Sequence, residues 1–209
     1  MFSNTILAQL PADFTEALST GAGLILSNFD PTANLDKETI KQNILFATEG
    51  GVQTSCVFSY GDYAEGLDNV PTNTKQLLHV TGVECTMGGT AKTITSESAK
   101  SFFAHADING DSDSNGVIEI SPRAKIKIED FKTLWFVAPY GTQKGFVAVK
   151  LSSSLNTGGF SWQSANNDKS SFPFSYKGFS DLESPEEIPF KYYMKKSSNV
   201  DTTEITPNT

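Results

Sequence analysis

The chain has 209 residues, with 16 basic groups against 24 acidic ones, a formal net charge of −8 and a pI near 4.7. That balance argues against tight binding to a phosphate backbone, which needs clustered Lys and Arg to displace counterions. Hydrophobic residues at 38%, with 15 Phe and 16 Gly, suit an ordinary globular chain of pleated strands and tight turns, and no run of about 18 apolar residues is present to span a bilayer.

Met1–Leu10 has no basic leading segment and only a short apolar stretch, so it is a poor secretion signal. Residues 1–19 read as a short helix or an extended arm, because Pro11 interrupts the helical spacing of ADFTEALS. The apolar run LILSNF then reads as a strand that ends at Asp30-Pro31. Residues 32–43 are polar and loop-like, with one helical turn around Lys37–Lys41.

From Gly50 onward the pattern alternates. Val52, Thr54, Cys56 and Phe58 share one face, and Gln53, Ser55 and Val57 the other. A polar connection, SYGDYAEGLDNVPTNTK, follows; it is longer than compact domains usually use, and such loops are often functional or ordered by a partner. In the next strand region, QLLHVTGVECTMGGTAKTI, Val83, Cys85 and Met87 share a side. Cys56 and Cys85 are the only cysteines and are expected as buried strand residues, with a bridge between them the alternative.

SESAKSFFAHAD is the clearest helix. Thr95 or Ser96 can cap it, Glu97 favours the positive end of its dipole, and Ala99, Phe102, Phe103 and Ala106 cluster on one face. The remainder reads as strands: VIEIS, AKIKI, TLWFVA, GFVAVKL, GGFSWQS, SFPFSYKGF and IPFKYYM, with Pro139–Gly145 forming a hairpin loop between the third and fourth. Residues 197–209 lack large apolar anchors and are expected to form a flexible tail. The sum is an all-β sandwich or barrel with one flanking α-helix, in a single domain over residues 1–209.

Sites for chemistry are sparse. Asp111-Ser112-Asp113-Ser114-Asn115-Gly116 begins like a calcium loop, but Pro122 stands where the chelating Glu belongs and a strand stands where a second helix is required. Glu186-Glu187, Asp181 with Glu183, and Glu129-Asp130 read as surface charge, not as facing carboxylates across a sugar. His79 and His105 have no partner at ligand spacing, and nothing around Cys56 suggests that His79 activates it. Gly50-Gly51, Gly88-Gly89 and Gly158-Gly159 lack the context of a phosphate loop and read as bulges or close approaches. Trp135 reads as core, whereas Trp162, Tyr192 and Tyr193 suit core or interface packing. No catalytic, metal or cofactor residue is expected.

The order of segments resembles the major tail proteins, or tail-tube proteins, of long non-contractile-tailed phages infecting Gram-positive bacteria. The resemblance rests on FATEGGVQTSCVFSYGDYAEGLDNVPTNTKQL, VECTMGGTAKTITSESAKSFFAHADI, DFKTLWFVAPYGTQKGFVAVKL, LNTGGFSWQSANNDKSSFPFSYKGF and EEIPFKYYM, which together cover about residues 44–195. It implies a tail-tube-like β-sandwich that assembles into stacked hexameric rings in the host cytoplasm and ends in the virion tail. Its implied partners are further copies of itself, other phage tail proteins and double-stranded DNA that slides through the lumen unbound, with no membrane. Six copies would carry about −48 per ring, a charge that repels phosphate. The candidate assembly-loop or lumen residues are Tyr60, Asp62, Tyr63, Glu65, Leu67, Asp68 and Val70. The competing expectation is a β-sandwich module that binds carbohydrate or a receptor.

Overall fold

The computed structural model describes residues 22–33, 36–109, 116–140, 145–164, 166 and 168–195. The expected N-terminal arm, the C-terminal tail, Asp111–Asn115 of the calcium-like loop and residues 141–144 of the hairpin loop lie outside them.

The chain is mainly β. Strands β1 (Leu24–Leu26), β2 (Ile44–Phe46), β3 (Thr48–Asp62), β4 (Leu78–Ala91), β7 (Lys132–Tyr140), β8 (Gly145–Asn156) and β9 (Phe172–Gly178) form one antiparallel sheet in the order β2-β1-β7-β8-β9-β4-β3. Strand β10 (Phe190–Lys195) pairs with β8 over Phe146–Leu151, whereas β9 takes β8 over Ser154–Asn156. A separate two-stranded sheet joins β5 (Ala106–Asn109) to β6 (Glu119–Pro122).

Strands β2 and β3 stand at opposite ends of the strand order, yet Ala47 alone separates them in sequence. The sheet must therefore curl until its two ends meet. Two hydrogen bonds hold that corner: the Lys92 amide donates to the Ala47 carbonyl and the Ala47 amide to Thr93 Oγ1, both at 2.8 Å.

Alternation along the strands fills two cores. Inside the curl, Ile25, Phe46, Cys85, Met87, Phe102, Leu134, Val149, Leu151, Phe174 and Tyr176 pack together. On the other face of β1, β7 and β8, the neighbours Leu26, Trp135 and Ala148 form a second cluster with Phe29 and Phe146. Strand β8 is thus buried on both faces, which is why GFVAVKL reads as a continuous apolar run and not an alternating one. The expected burial of Trp135 and Cys85 holds, and Met87, which shares a side with Cys85, is buried too; Cys56 is only half-buried.

Two short helices occur among the described residues. Helix α1 (Lys37–Asn43) starts where Asp36 accepts hydrogen bonds from the Thr39 amide and hydroxyl, and a Glu38–Lys41 ion pair at 2.9 Å spans one turn. It is longer than the single turn expected there. Helix α2 (Ser96–Phe102) carries a capping box in which Thr95 and Ser98 exchange side-chain and backbone hydrogen bonds.

Helix α2 ends earlier than its sequence pattern implies. Ala104 adopts a left-handed φ of 66°, which stops the helix, and Ala106 is buried as the first residue of β5 instead.

Two further expectations are corrected. AKIKI forms no strand: Arg123 Nη1 donates to the Lys125 carbonyl and the Lys127 amide donates to Asp130, so side chains take backbone groups a ladder would need. Ile128 is left 92% exposed at the start of a short 3₁₀ turn. GGFSWQS keeps only one isolated bridge, Gln163 to Ser171. Its aromatics are held by ring contacts, Phe160 on Phe103 with centroids 4.3 Å apart and Trp162 facing Phe172 at 6.4 Å.

Candidate assembly surface

Strands β3 and β4 are 15 and 14 residues long, and their pairing runs from Thr48–Ala91 to Asp62–Leu78. Strand β9 covers β4 only over Thr86–Ala91. Beyond that point, Cys56–Asp62 and Leu78–Cys85 pair only with each other among the described residues. The result is a two-stranded ribbon that leaves the curled sheet with no described residue paired to either outer edge.

The ribbon continues the core face outward. Cys56 is directly opposite Cys85, Phe58 opposite Val83, and Tyr60 opposite Val80, so these side chains share the face that begins at Met87. A register shift between Ser59 and Tyr60 leaves Thr81 as an extra residue in β4 and preserves that face across the bulge. Phe58 and Tyr60 stack at 6.5 Å. Tyr60 (60% exposed), Val80 (52%) and Leu78 (48%) form an uncovered apolar stripe.

On the opposite face, Val57, Glu84, Gly61 and His79 are exposed or half-buried. The His79 ring lies across Gly61, where a Cβ would come within 2.8 Å of it, and Tyr63 stacks on that ring at 3.9 Å. His79 therefore sits on the opposite face from Cys56, and the two form no dyad. At the other end of β3, Gly50 and Gly51 hold left-handed φ values of 76° and 90° within a register shift, which bears out the bulge reading there.

The connection between the strands is shorter and better ordered than its sequence implies. Tyr60 and Asp62 belong to β3, so the loop proper runs from Tyr63 to Leu77. One oxygen of Asp62 accepts the Ala64 amide at 2.9 Å and the other the Asn73 amide at 2.6 Å, which ties both ends of the loop to one carboxylate. The Tyr63 amide donates to the Leu77 carbonyl, and Ala64 is buried beneath. Tyr63, Glu65, Leu67 and Asp68 are exposed on this frame, and Val70 is half-buried. Of the seven candidate residues, Asp62 is a clamp, Tyr60 joins the apolar stripe and the other five decorate the loop. The sequence reading missed Phe58, Leu78 and Val80 as surface residues, because nothing local marks where β9 stops.

The amide hydrogen bonds from Ala64, and after it Asn73, hold the Asp62 carboxyl below its ordinary pKa. A lowered folded-state pKa means that the clamp is at full strength above the ordinary carboxylate range and is lost as pH falls through the lowered value. Acid titration followed by amide chemical shifts should show the Ala64 and Asn73 signals moving together at that pH. Asp62→Ala should release both signals at neutral pH while leaving the core aromatic signals in place.

The other sequence-derived sites resolve as structure. Asp130 is not surface charge: its side chain is buried against Arg123, whose Nε also lies 3.0 Å from Asp107. Glu187 pairs with Lys191 at 2.6 Å, which lowers its pKa, and Asp181 accepts the Glu183 amide within a turn. Asn156 is buried and joins three segments. Its Nδ2 donates to the Phe102 and Gly159 carbonyls at 2.8 and 3.1 Å, and its Oδ1 accepts the Ser175 amide at 3.0 Å.

No family model matches this chain, and no curated protein matches it. Among the described residues, no three His, Cys, Asp or Glu side chains converge as a metal site, and no helix is long and apolar enough to cross a membrane. The surface with the most distinctive geometry is the ribbon, its apolar stripe and its clamped loop.

Proposed function

We propose that this chain is a structural subunit of a phage tail tube, assembling with copies of itself into stacked hexameric rings. The observation that carries the reading is the ribbon, whose apolar stripe of Phe58, Tyr60, Leu78 and Val80 is exposed and whose edges are unpaired among the described residues. An isolated two-stranded ribbon is marginal in water, and an open apolar edge invites pairing with another chain. Strand β10 also has an open outer edge among the described residues, with Tyr192 and Met194 exposed on it. One free edge on the ribbon and another on β10 suit head-to-tail association, the kind that closes into rings.

The six-fold count, the stacking and the passage of double-stranded DNA come from the resemblance in segment order. The net charge of −8 supports a lumen that repels phosphate and lets DNA slide. In this reading the protein assembles in the host cytoplasm and ends in the virion tail, meeting other tail proteins at the tube ends.

A second reading has one observation in its favour. Trp162 is 62% exposed and lies nearly parallel to Phe172, a flat aromatic face of the kind that sugars stack on. Sedimentation and negative-stain microscopy separate the two. The tube reading expects rings or short tubes that grow with concentration. A strict monomer at every concentration and salt, with glycan-array signals that vanish in Trp162→Ala, would favour the binding module.

A further inference from the structure

We propose that Cys56 and Cys85 are a peroxide-responsive dithiol that closes into a disulfide across the root of the ribbon. The two residues are direct cross-strand partners, and their Sγ atoms lie 3.2 Å apart as free thiols. Directly opposed residues of an antiparallel pair have Cα atoms about 4.5–5.5 Å apart, inside the span of about 4.4–6.8 Å that a disulfide accepts. Bond formation therefore requires the sulfurs to close by about 1 Å, with no slip of the ladder. The pair also occupies a particular place. The next residue of β4, Thr86, is the first that β9 covers, so the bridge would add a covalent rung where the ribbon loses its neighbour.

Burial divides the roles. Cys85 is fully buried, and burial, reinforced by Cys56, pushes its thiol up to about 12, so it stays protonated at neutral pH. Cys56 is half-buried and is the sulfur that a small oxidant can meet. Its thiolate attacks one oxygen of a hydroperoxide. The O–O bond breaks, a sulfenic acid forms on Cys56, and the departing hydroxide leaves as water with the Cys56 proton. The Cys85 sulfur then attacks Cys56 Sγ. The S–O bond breaks, and hydroxide leaves as a second water with the Cys85 proton. Two thiols are oxidised by two electrons in all, and one hydrogen peroxide is reduced to two waters.

The chemistry does not depend on the assembly reading and is tested without it. The fully reduced protein is treated with hydrogen peroxide, quenched, alkylated under denaturing conditions and peptide-mapped. Wild type should lose both alkylatable thiols together and yield one intramolecular Cys56–Cys85 cross-linked peptide. Cys85→Ser should stop at a Cys56 sulfenic acid that dimedone captures, and Cys56→Ser should leave Cys85 alkylatable. Wild type that keeps two free thiols, or that links only between copies, overturns the proposal on its own. So does oxidation of Cys85 in Cys56→Ser, or a Cys56 that stays unmodified in Cys85→Ser.

Discussion

Replacing Tyr60 and Val80 together by aspartate should abolish assembly while leaving the subunit folded. The two residues face each other across the ribbon and are more than half exposed, so neither contributes to the two cores. Charge at such positions changes subunit stability by only about 0.5 kcal/mol, the usual range for exposed sites. In an assembled ring the same stripe would be covered, and each unpaired carboxylate would have to leave water. Desolvating an unpaired charge costs several kcal/mol, and about 1.4 kcal/mol is a factor of ten in an equilibrium constant, so association should weaken by at least about a hundredfold. Sedimentation velocity should show wild-type rings and variant monomers with unchanged circular dichroism. The loop gives an internal control: Glu65→Ala and Asp68→Ala, away from the stripe, should alter the salt dependence of assembly more than its strength. A double aspartate variant that assembles like wild type would remove the ribbon face from the interface.

The second large effect is expected on stability. Asn156→Ala should lower the unfolding free energy by about 3 kcal/mol, because one buried and two part-buried backbone groups lose their partner at about 1 kcal/mol or more each. Asn156 is 2% exposed, and its amide ties the end of helix α2, the turn at Gly159 and the start of the Ser175 pairing into one unit. That unit also holds Tyr176, whose hydroxyl meets Ser101 at 2.7 Å. Chemical denaturation should therefore show a lower midpoint with an unchanged slope. Asn156→Asp should be no milder: the two carbonyls that received an amide would then face a carboxylate.

Much of the β architecture is legible from local pattern, and the exceptions are instructive. Alternation at Val83, Cys85 and Met87 identifies a half-buried strand, and a capping residue, Glu97 in the first turn and the apolar face of Ala99 and Phe102 announce the helix. Both features depend on neighbours in sequence. AKIKI fails because an apolar alternation shows only that a strand would be amphipathic, not that an edge is free to pair with it. Arg123 and Asp130 occupy the backbone groups first. GGFSWQS fails for the related reason that Asn156 captures the Gly159 carbonyl and holds the chain in a turn. Helix α2 is overextended in the sequence reading because Ala104, a good helix former, is left-handed in the structure, two residues before β5 begins at Ala106.

The candidate site divides in the same way. The acidic, turn-rich segment between two alternating runs was visible as an unusual loop, and Tyr63, Glu65, Leu67 and Asp68 do lie exposed on it. That Asp62 is a clamp depends on bringing Asn73 back to it, a contact across eleven residues that no local pattern encodes. Phe58, Leu78 and Val80 look like ordinary core positions in sequence. Only the register of β9, which starts to cover β4 at Thr86, shows that beyond the ribbon's own partners no further strand covers them among the described residues.

By itself, then, the sequence determined a mostly β chain of net charge −8 with an overlong acidic loop, because composition and side-chain alternation are local properties. Tertiary structure alone decided which strands find partners, where the curled sheet ends and which apolar residues are left uncovered. Those outcomes depend on pairing between segments far apart in the chain, where one ladder's length exceeds its neighbour's. The ribbon beyond Thr86 is that excess.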